Sequence, residues 1–517
     1  MLRTVSTSSF ALMLGAGAAF ADVTPAEVWD SIRSGYEDMG YSVTVGSEDA
    51  SDGRLSLSDI TVATDTEDGA SFEVGIPGLV MEQDGADVRS VFEGQMALTI
   101  RDTVTPYVPE TAGEDAPEPE PREVGFDATI DAPGNVMISS GSAGDMTHSM
   151  SMPTATLKGS PLDEVNSGTV EMTLTDLTST QRSVTAENGD ISQEFQGAIA
   201  ELAGSFAASG PSAEGQDGTD SFDATFAMAD LSFDGNATQP GGTTFETDPE
   251  ASLAAGFVVD GTIGTGPFDF SFDGTATDET GAEVATSGAM KATGGELTVE
   301  MSKDGFGYGG FAEGTEYSLE SGDMPFPINY GIARSEFSLR MPVSRSDEAQ
   351  PFALKLGLTD LALDDAIWQG LDPQNTLPRE PANVNIDLSG TALVTENLMA
   401  QDAAPQMGDK PPFTPSSLQI NEIALDAVGA SANVTGSLEF GDNPNEPVGQ
   451  LKGSFTGING LLDNLVAMGL VPQEQVMGAR MMMAMFTRPA EGQPDTLETQ
   501  LKFTEGGSIF ANGQQVK

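Results

Sequence analysis

Apolar and polar residues alternate along most of the chain, and this pattern predicts many short antiparallel strands. The alternation is clear over residues 41–45, 54–63, 71–82 and 88–101, where Gly and Asp mark the turns. A period of two places successive side chains on opposite faces of a sheet. We therefore predict a β-rich α+β fold, with long curved antiparallel sheets and a few covering amphipathic helices.

A period of three to four residues predicts the helices at residues 25–39, 191–208 and 458–486. The first begins with a capping box, Thr24 and Glu27, and ends before Gly40. The second has Asp190 and Gln193 at its capping positions, and its apolar residues fall on one helical stripe: Ile191, Phe195, Ile199, Leu202 and Phe206. Within the third of these regions the helical pattern covers residues 458–468 and 472–486. A further short helical pattern covers residues 364–370.

Five eight-residue stretches share the form apolar-x-apolar-x-acid-Leu/Ile-x-apolar. They are residues 55–62, 172–179, 226–233, 356–363 and 418–425, with the last position of the second copy polar. Apolar positions 1, 3, 6 and 8 can share one face of a strand only if one extra residue is inserted between positions 3 and 6. A β-bulge supplies such a residue. We predict a bend at or beside the acid of each copy: Asp59, Asp176, Asp230, Asp360 and Glu422.

Composition shifts divide the chain. Residues 1–21 are interpreted as a signal peptide, 22–105 as an N-terminal helix and β-meander, and 106–122 as an exposed loop rich in Pro and acid. Residues 123–322 form a Gly-rich β region with one helix, and 323–517 a C-terminal β-sheet region with helices. An alternative is that 22–517 form one continuous elongated domain.

The first residues are typical of an export signal. Arg3 is followed by an apolar run at Phe10–Ala19, and an A-x-A site predicts cleavage between Ala21 and Asp22. The apolar run is shorter than the roughly 20 residues that a spanning helix needs. We expect a periplasmic protein without a transmembrane segment after signal removal.

Charge narrows the range of partners. Eighty acidic residues face 21 basic ones, for a formal net charge of -59. Nucleic acid and anionic headgroups need Lys and Arg to replace their counterions, so we expect no nucleic-acid partner. The absence of cysteine excludes disulfides, thiol catalysis and Cys-based metal centres.

Motifs for chemistry are weak. His148 is the only histidine and is interpreted as a surface loop residue, and Gly305, Gly307 and Gly310 match a dinucleotide fingerprint but precede no helical pattern. We predict no catalytic residue, metal ligand or cofactor. A hydrolase that uses paired carboxylates remains an alternative.

Large apolar side chains are the remaining candidates for contacts, either with an apolar ligand or within the core. They are Trp29, Trp368, Met481, Met482, Met485 and Phe486. Methionine adapts its shape to irregular partners, but its usual burial favours a helix packed into the core.

The chain resembles an uncharacterised bacterial envelope family, domain of unknown function 2125. The likeness is carried by residues 364–368, 371–373 and 377–381, by 384–388, and by C-terminal segments at 448–451, 461–463, 469–472 and 511–513. The family implies no reaction and no catalytic residues.

A weaker resemblance is to AsmA-like envelope proteins, through the repeated apolar-x-apolar-x-acid pattern. It implies curved β-structure with an apolar concave face and a link to lipid transport. We therefore expect a non-enzymatic envelope protein that binds a lipid, another apolar ligand or an envelope protein. A purely structural or protein-interaction module is a further alternative.

Overall fold

The computed structural model describes residues 23–38, 40–65, 70–105, 121–162, 167–212, 218–245, 248–278, 280–399, 412–441 and 443–517. The predicted cleavage site at Ala21 and Asp22, most of the 106–122 loop and Met39 lie outside these residues. The described part is 66% strand and 11% helical, and its strands pair in antiparallel fashion, which confirms the predicted fold class.

The helices of the described part are α1 Pro25–Asp38, α2 Pro249–Ala255, α3 Asp365–Leu371, α4 Ile458–Ala467 and α5 Gln473–Phe486. The strands of the first half are β1 Ser42–Ser51, β2 Arg54–Asp65, β3 Ser71–Asp84, β4 Asp87–Glu93, β5 Met96–Val104, β6 Arg122–Asp131, β7 Val136–Ser142, β8 Asp145–Leu162, β9 Ser167–Thr185, β10 Ile191–Pro211, β11 Thr219–Gln239, β12 Val258–Thr265 and β13 Phe268–Thr277.

The strands of the second half are β14 Glu283–Ala292, β15 Gly294–Ser302, β16 Gly305–Ser321, β17 Ile328–Met341, β18 Gln350–Leu363, β19 Ala382–Val394, β20 Phe413–Ala427, β21 Ala430–Glu439, β22 Val448–Thr456, β23 Arg488–Ala490, β24 Gln493–Thr504, β25 Ser508–Ala511 and β26 Gln514–Gln515. The predicted C-terminal hairpin is confirmed, because Thr504 pairs with Ser508 across Gly506 and Gly507.

The chain forms two compact units. Unit 1 comprises Met1–Glu246, Ile263–Gly288 and Ser321–Asp323, and unit 2 comprises Thr247–Thr262, Ala289–Glu320 and Met324–Lys517. Each unit contains its own set of antiparallel ladders.

The core of unit 1 lies beneath α1. Its capping box is confirmed, since Thr24 N donates to Glu27 Oε2 at 2.9 Å and Glu27 N donates to Thr24 Oγ1 at 3.3 Å. Val28 and Trp29 on the buried side of α1 join a cluster of fully buried side chains from β2, β3, β4, β7 and β8. This helix therefore covers the sheet as predicted, and Trp29 belongs to the core.

The segment 88–101, expected as one strand, is two. Residues Asp87–Glu93 and Met96–Val104 both pair with β3, at its two ends. Gly94 lies between them with φ 83°, a conformation that most residues avoid, and it redirects the chain.

The helix predicted at 191–208 is wrong, because these residues form the 21-residue strand β10, paired with β9 and β11. Spacings of four also fit one face of a strand. The single spacing of three, from Ile199 to Leu202, occurs where Ala200 is left out of both ladders. Two successive residues, Ala200 and Glu201, are exposed there, and the inward face passes from odd to even positions. Asp190 is not a helix cap; it accepts a hydrogen bond from Gly241 N at 2.9 Å.

The predicted interruption at the five repeated acids is confirmed. Four of them, Asp59, Asp176, Asp230 and Asp360, have φ between 51° and 53°, in the left-handed region that Asp tolerates better than most residues. Glu422 lies beside a register shift in β20, between Ile420 and Ile423.

The form of the interruption differs from a simple bulge at three sites. Ser58 pairs with Gly78 and Ile60 with Ile76, so β2 and β3 keep their register and omit only Asp59 and the facing Pro77. Proline has no N–H to contribute to a ladder, so it suits this position. An inserted residue, as predicted, occurs at β18 and β20 only. At the first copy the consequence is as expected, because Leu57 and Ile60 are both buried.

Unit 2 confirms the helices predicted near 364–370, 458–468 and 472–486. Asp364 caps α3 by accepting hydrogen bonds from the N–H groups of Ala366 and Ile367. The short helix α2 has no counterpart in the predictions, although Asp248 followed by Pro249 is a recognisable start.

Candidate functional site

The largest candidate site in unit 1 is an apolar face shared by seven strands. Residues that pair directly across strands lie on the same side of a sheet. One row runs from β5 to β13 through Leu98, Ala128, Gly159, Val170, Phe206, Ala224 and Phe272. The adjacent row is Met96, Ile130, Leu157, Met172, Gly204, Phe226 and Phe270. Neither row contains a charged residue.

Aromatic rings fill the positions of the glycines in these rows. A Cβ on Gly204 would lie 2.7 Å from Cε1 of Phe226, and one on Gly159 would lie 2.4 Å from Cζ of Phe126. The rings therefore pack directly against the backbone of these glycines. Glycine has no side chain, so an aromatic ring can approach the neighbouring strand closely.

This face is open to solvent to a degree that a core is not. Phe206 is 39% exposed and Phe222 is 38% exposed, and their rings lie 6.0 Å apart. Phe222 also stacks on Phe272 at 5.6 Å. In the described part of unit 1, α1 is the helix present, and it packs chiefly on β1, β2 and β3. Large aromatic side chains thus meet water along the middle of the sheet.

The opposite side of the same strands is charged. Arg101 Nη2 lies 2.7 Å from Asp127 Oδ1, and Lys158 Nζ lies 2.7 Å from Glu171 Oε1. These residues alternate with members of the apolar rows. Unit 1 therefore carries an amphipathic sheet, with one apolar side and one charged side.

Unit 2 carries a second apolar face, nine strands wide. Its first row is Val299, Tyr308, Leu339, Leu354, Leu388, Ile420, Gly436, Leu451 and Leu501. Its second row is Leu297, Gly310, Phe337, Leu356, Ile386, Ile423, Val434, Gly453 and Thr499. Leu297, Leu356 and Leu425 are between 41% and 48% exposed.

The bulge in β20 preserves this face. Ile420 and Ile423 are three residues apart, and a regular strand would turn one of them to the polar side. The register shift between them places one in each apolar row. The side chain of Glu422 lies on the other side, where it accepts hydrogen bonds from Asn385 and Asn433 at 2.5 and 2.8 Å.

The methionines of α5 are exposed, which contradicts the expectation of a helix packed into the core. Val476 is the buried residue of α5, whereas Met481, Met482 and Met485 are 70%, 64% and 61% exposed and Phe486 is 37% exposed. Arg480 fastens the helix to α4 through Asp463 at 2.8 Å. Its charge is thus directed at the protein, and the outward surface of α5 is apolar.

Trp368 is not part of the rows that form the two apolar faces. It is buried in α3, with the Arg379 guanidinium 5.4 Å from its ring centroid. The adjoining Asp372 is fully buried and accepts a hydrogen bond from Leu377 N at 2.7 Å. The 365–379 segment is therefore structural.

A cavity of about 420 Å³ in unit 2 adjoins the start of α3. Tyr317 and Tyr330 stack along it with centroids 5.0 Å apart. The Asn329 amide donates to Asp364 at 2.9 Å and holds the pKa of that carboxyl below its ordinary value, with help from the α3 N–H groups. A carboxyl of lowered pKa is ionised near neutral pH and cannot serve as a general acid there.

His148 is not in a loop, contrary to the sequence interpretation. It lies in β8, and its Nδ1 is 2.8 Å from Oγ of Ser139, a completely buried residue. Burial lowers the pKa of the imidazole. Sequence alone gave one signal of this placement, the alternation of Met146, His148, Met150 and Met152.

These features define a class: an antiparallel β-sheet protein with amphipathic sheets whose apolar sides are partly open. Residues 276–510 match the model of the family described as an uncharacterized protein conserved in bacteria, DUF2125. This match confirms the resemblance to that family that the sequence predicted. Searches found no similar curated protein and no similar solved structure. None of the described helices is long and apolar enough to cross a membrane.

Proposed function

We propose that this protein is an exported, non-enzymatic component of the bacterial envelope that binds the acyl chains of lipids along its apolar sheet faces. The single observation that carries the proposal is the pair of uncharged rows in each unit, which include solvent-exposed side chains such as Phe206, Leu297 and Leu356. Exposed apolar surface on this scale typically marks a binding site.

The dimensions of the rows suit an acyl chain. Strands lie about 4.8 Å apart, so the six intervals of the unit 1 row span about 29 Å. One lipid leaflet contributes about half of the roughly 30 Å hydrocarbon core of a bilayer. The row is therefore long enough to hold one acyl chain along its length. Each CH₂ group moved from water onto the face contributes about 0.8 kcal/mol.

The negative charge supports a particular manner of binding. With 80 acidic residues the protein repels anionic headgroups, and its acids alternate with the apolar rows on the other side of the sheets. The apolar face therefore recognises the acyl chain. The same chemistry fits a free fatty acid and a phospholipid, and the test below separates them.

The experiment combines mass spectrometry of gently purified protein with uptake of a fluorescent fatty acid and of a fluorescent phospholipid. Leu356→Glu and Leu425→Glu place a charge on the unit 2 face and are expected to reduce uptake at least tenfold, because an unpaired charge against acyl chain costs several kcal/mol. Ser338→Glu, on the polar side of β17, is the matched control and is expected to have no effect. Protein that retains no lipid and takes up neither probe would exclude the proposal.

Export is tested separately. Cleavage after Ala21 predicts a mature protein that begins at Asp22, which N-terminal sequencing of the protein from the periplasmic fraction checks. Recovery of the uncleaved chain from the cytoplasmic fraction alone would contradict it.

A further inference from the structure

Soft donor atoms converge on the inner face of β7 and β8 in unit 1. Met146, His148 and Met150 alternate along β8, so their side chains share one face. In the ladder with β7, Met150 pairs with Met137 and His148 pairs with Ser139. Directly paired residues have Cβ atoms about 5 Å apart. Three thioethers and the only imidazole of the chain therefore occupy neighbouring positions.

The imidazole is oriented by its neighbour. Nδ1 of His148 lies 2.8 Å from Oγ of Ser139, which is fully buried. A hydrogen bond of one ring nitrogen to a fixed partner is the arrangement found around metal-bound histidines, where it sets the tautomer and directs the other nitrogen to the metal. Because Nδ1 contacts Ser139, Nε2 is the ring nitrogen that remains to bind a metal.

A buried hydroxyl provides an independent observation. Ser90 of β4 pairs with Met137 of β7 and with Met81 of β3, on the same inner face. It is 1% exposed, and its Oγ has no hydrogen-bond partner among the described residues. Buried polar atoms normally have a hydrogen-bond partner, so a buried hydroxyl without one among the protein atoms indicates that a ligand binds beside it.

We propose that Met137, His148 and Met150 form a binding site for a soft monovalent metal ion, Cu(I), with Met146 as the adjacent thioether and Ser90 lining the site. Thioether and imidazole donors select Cu(I) over hard cations such as Mg²⁺ and Ca²⁺, which require oxygen ligands. No carboxylate occupies these inner positions, and in the described part of the chain no three His, Asp or Glu residues are grouped to hold a metal.

The first test uses the unaltered, tag-free full chain and needs no variant. Because His148 is the only histidine, a long-range ¹H–¹⁵N spectrum reports on one imidazole. Ag(I), a redox-stable probe of the same softness, is titrated first, and Cu(I) is then added without oxygen. The proposal predicts a shift of the Nε2 resonance that is complete at one equivalent. An imidazole that does not respond to either ion would overturn it.

The second test measures affinity by competition with a Cu(I) chelator. His148→Phe and Met150→Leu are each expected to weaken binding by about tenfold or more. Met301→Leu, in β15 of unit 2, is the matched control. The exposed methionines of α5 are a competing source of thioethers, so Met477, Met481, Met482 and Met485 are changed to Leu together in a further variant. Binding that is lost in this variant, but kept in the His148 and Met150 variants, would show that the buried methionines are core packing alone.

Discussion

At the scale of single residues, the aspartates with positive φ are the most informative feature. A side chain with a Cβ normally costs about 1–2 kcal/mol in the left-handed conformation, and Asp reduces this cost by hydrogen bonding locally. Four long strands contain such an aspartate, at Asp59, Asp176, Asp230 and Asp360. Their role is conformational, because each one allows apolar residues on both sides of it to face the same way.

Asp59→Val is therefore expected to lower the free energy of unfolding by about 1–2 kcal/mol, since a β-branched residue is poorly suited to φ 51°. Asp59→Gly and Asp59→Asn are expected to have little effect, because both residues adopt this conformation readily. Urea unfolding measures the difference. Ser56→Val, at a regular position of the same strand, is the control. Equal losses for Val and Gly at position 59 would indicate that the carboxylate, and not the backbone, matters.

His148 gives a prediction for pH. The unfolded chain binds a proton near pH 6.5, and the folded chain binds it at lower pH because the ring is buried. The unfolded state thus binds more protons between these two pKa values, and stability falls as the pH drops below about 6.5. His148→Gln, which can keep a hydrogen bond to Ser139, is expected to lose less stability between pH 7.5 and pH 5. Parallel urea curves at the two pH values test this, and identical losses in both proteins would refute it.

At the scale of elements, β10 shows how a strand can imitate a helix. Apolar spacings of four are shared by helices and strands, and the single step of three at Ala200 completes the imitation. The two neighbouring strands explain this step. Ala200 lies between Asp176 of β9 and Asp230 of β11, and both aspartates have φ 51°. Periodicity in one strand cannot reveal an interruption that three strands share.

The α4–α5 hairpin has few buried residues, which predicts local opening. With Val476 as the buried residue of α5, the helix depends on Arg480, which donates to Asn459 O at 3.1 Å and pairs with Asp463. Arg480→Leu is expected to speed hydrogen exchange in α5 without a measurable change in the melting temperature, because regions with few buried contacts open independently of global unfolding. Asp463→Asn should have a smaller effect in the same direction. Unchanged exchange in α5 would show that other contacts hold the helix.

At the scale of the whole molecule, the net charge of -59 dominates. Such charge keeps a protein with exposed apolar faces soluble, and it also destabilises the compact state through self-repulsion. The melting temperature is therefore expected to rise between 10 mM and 1 M NaCl, since the screening length falls from about 30 Å to about 3 Å. Calorimetry measures this. A constant or falling melting temperature would mean that local ion pairs outweigh the repulsion.

Much of the fold was predictable. The capping box of α1, the strands around residues 54–84, the helices near 364–370 and 458–486 and the C-terminal hairpin follow from local periodicity and turn residues. The exposure of the apolar faces was not predictable in the same way. Whether a strand's apolar side is covered depends on where other elements lie, and the sequence of that strand carries no such information.

Alternation, capping residues and the repeated acid are local signals, so the sequence alone was enough to predict the fold class and the positions at which strands are interrupted. The tertiary structure alone decided which residues share a face. Register placed Met137 beside Met150, brought Ser139 to His148, aligned Phe206 with Phe272 through Ala224, and left the methionines of α5 in solvent. The physical reason is that pairing across strands is set by hydrogen bonds between residues distant in sequence, and those contacts exist only after folding.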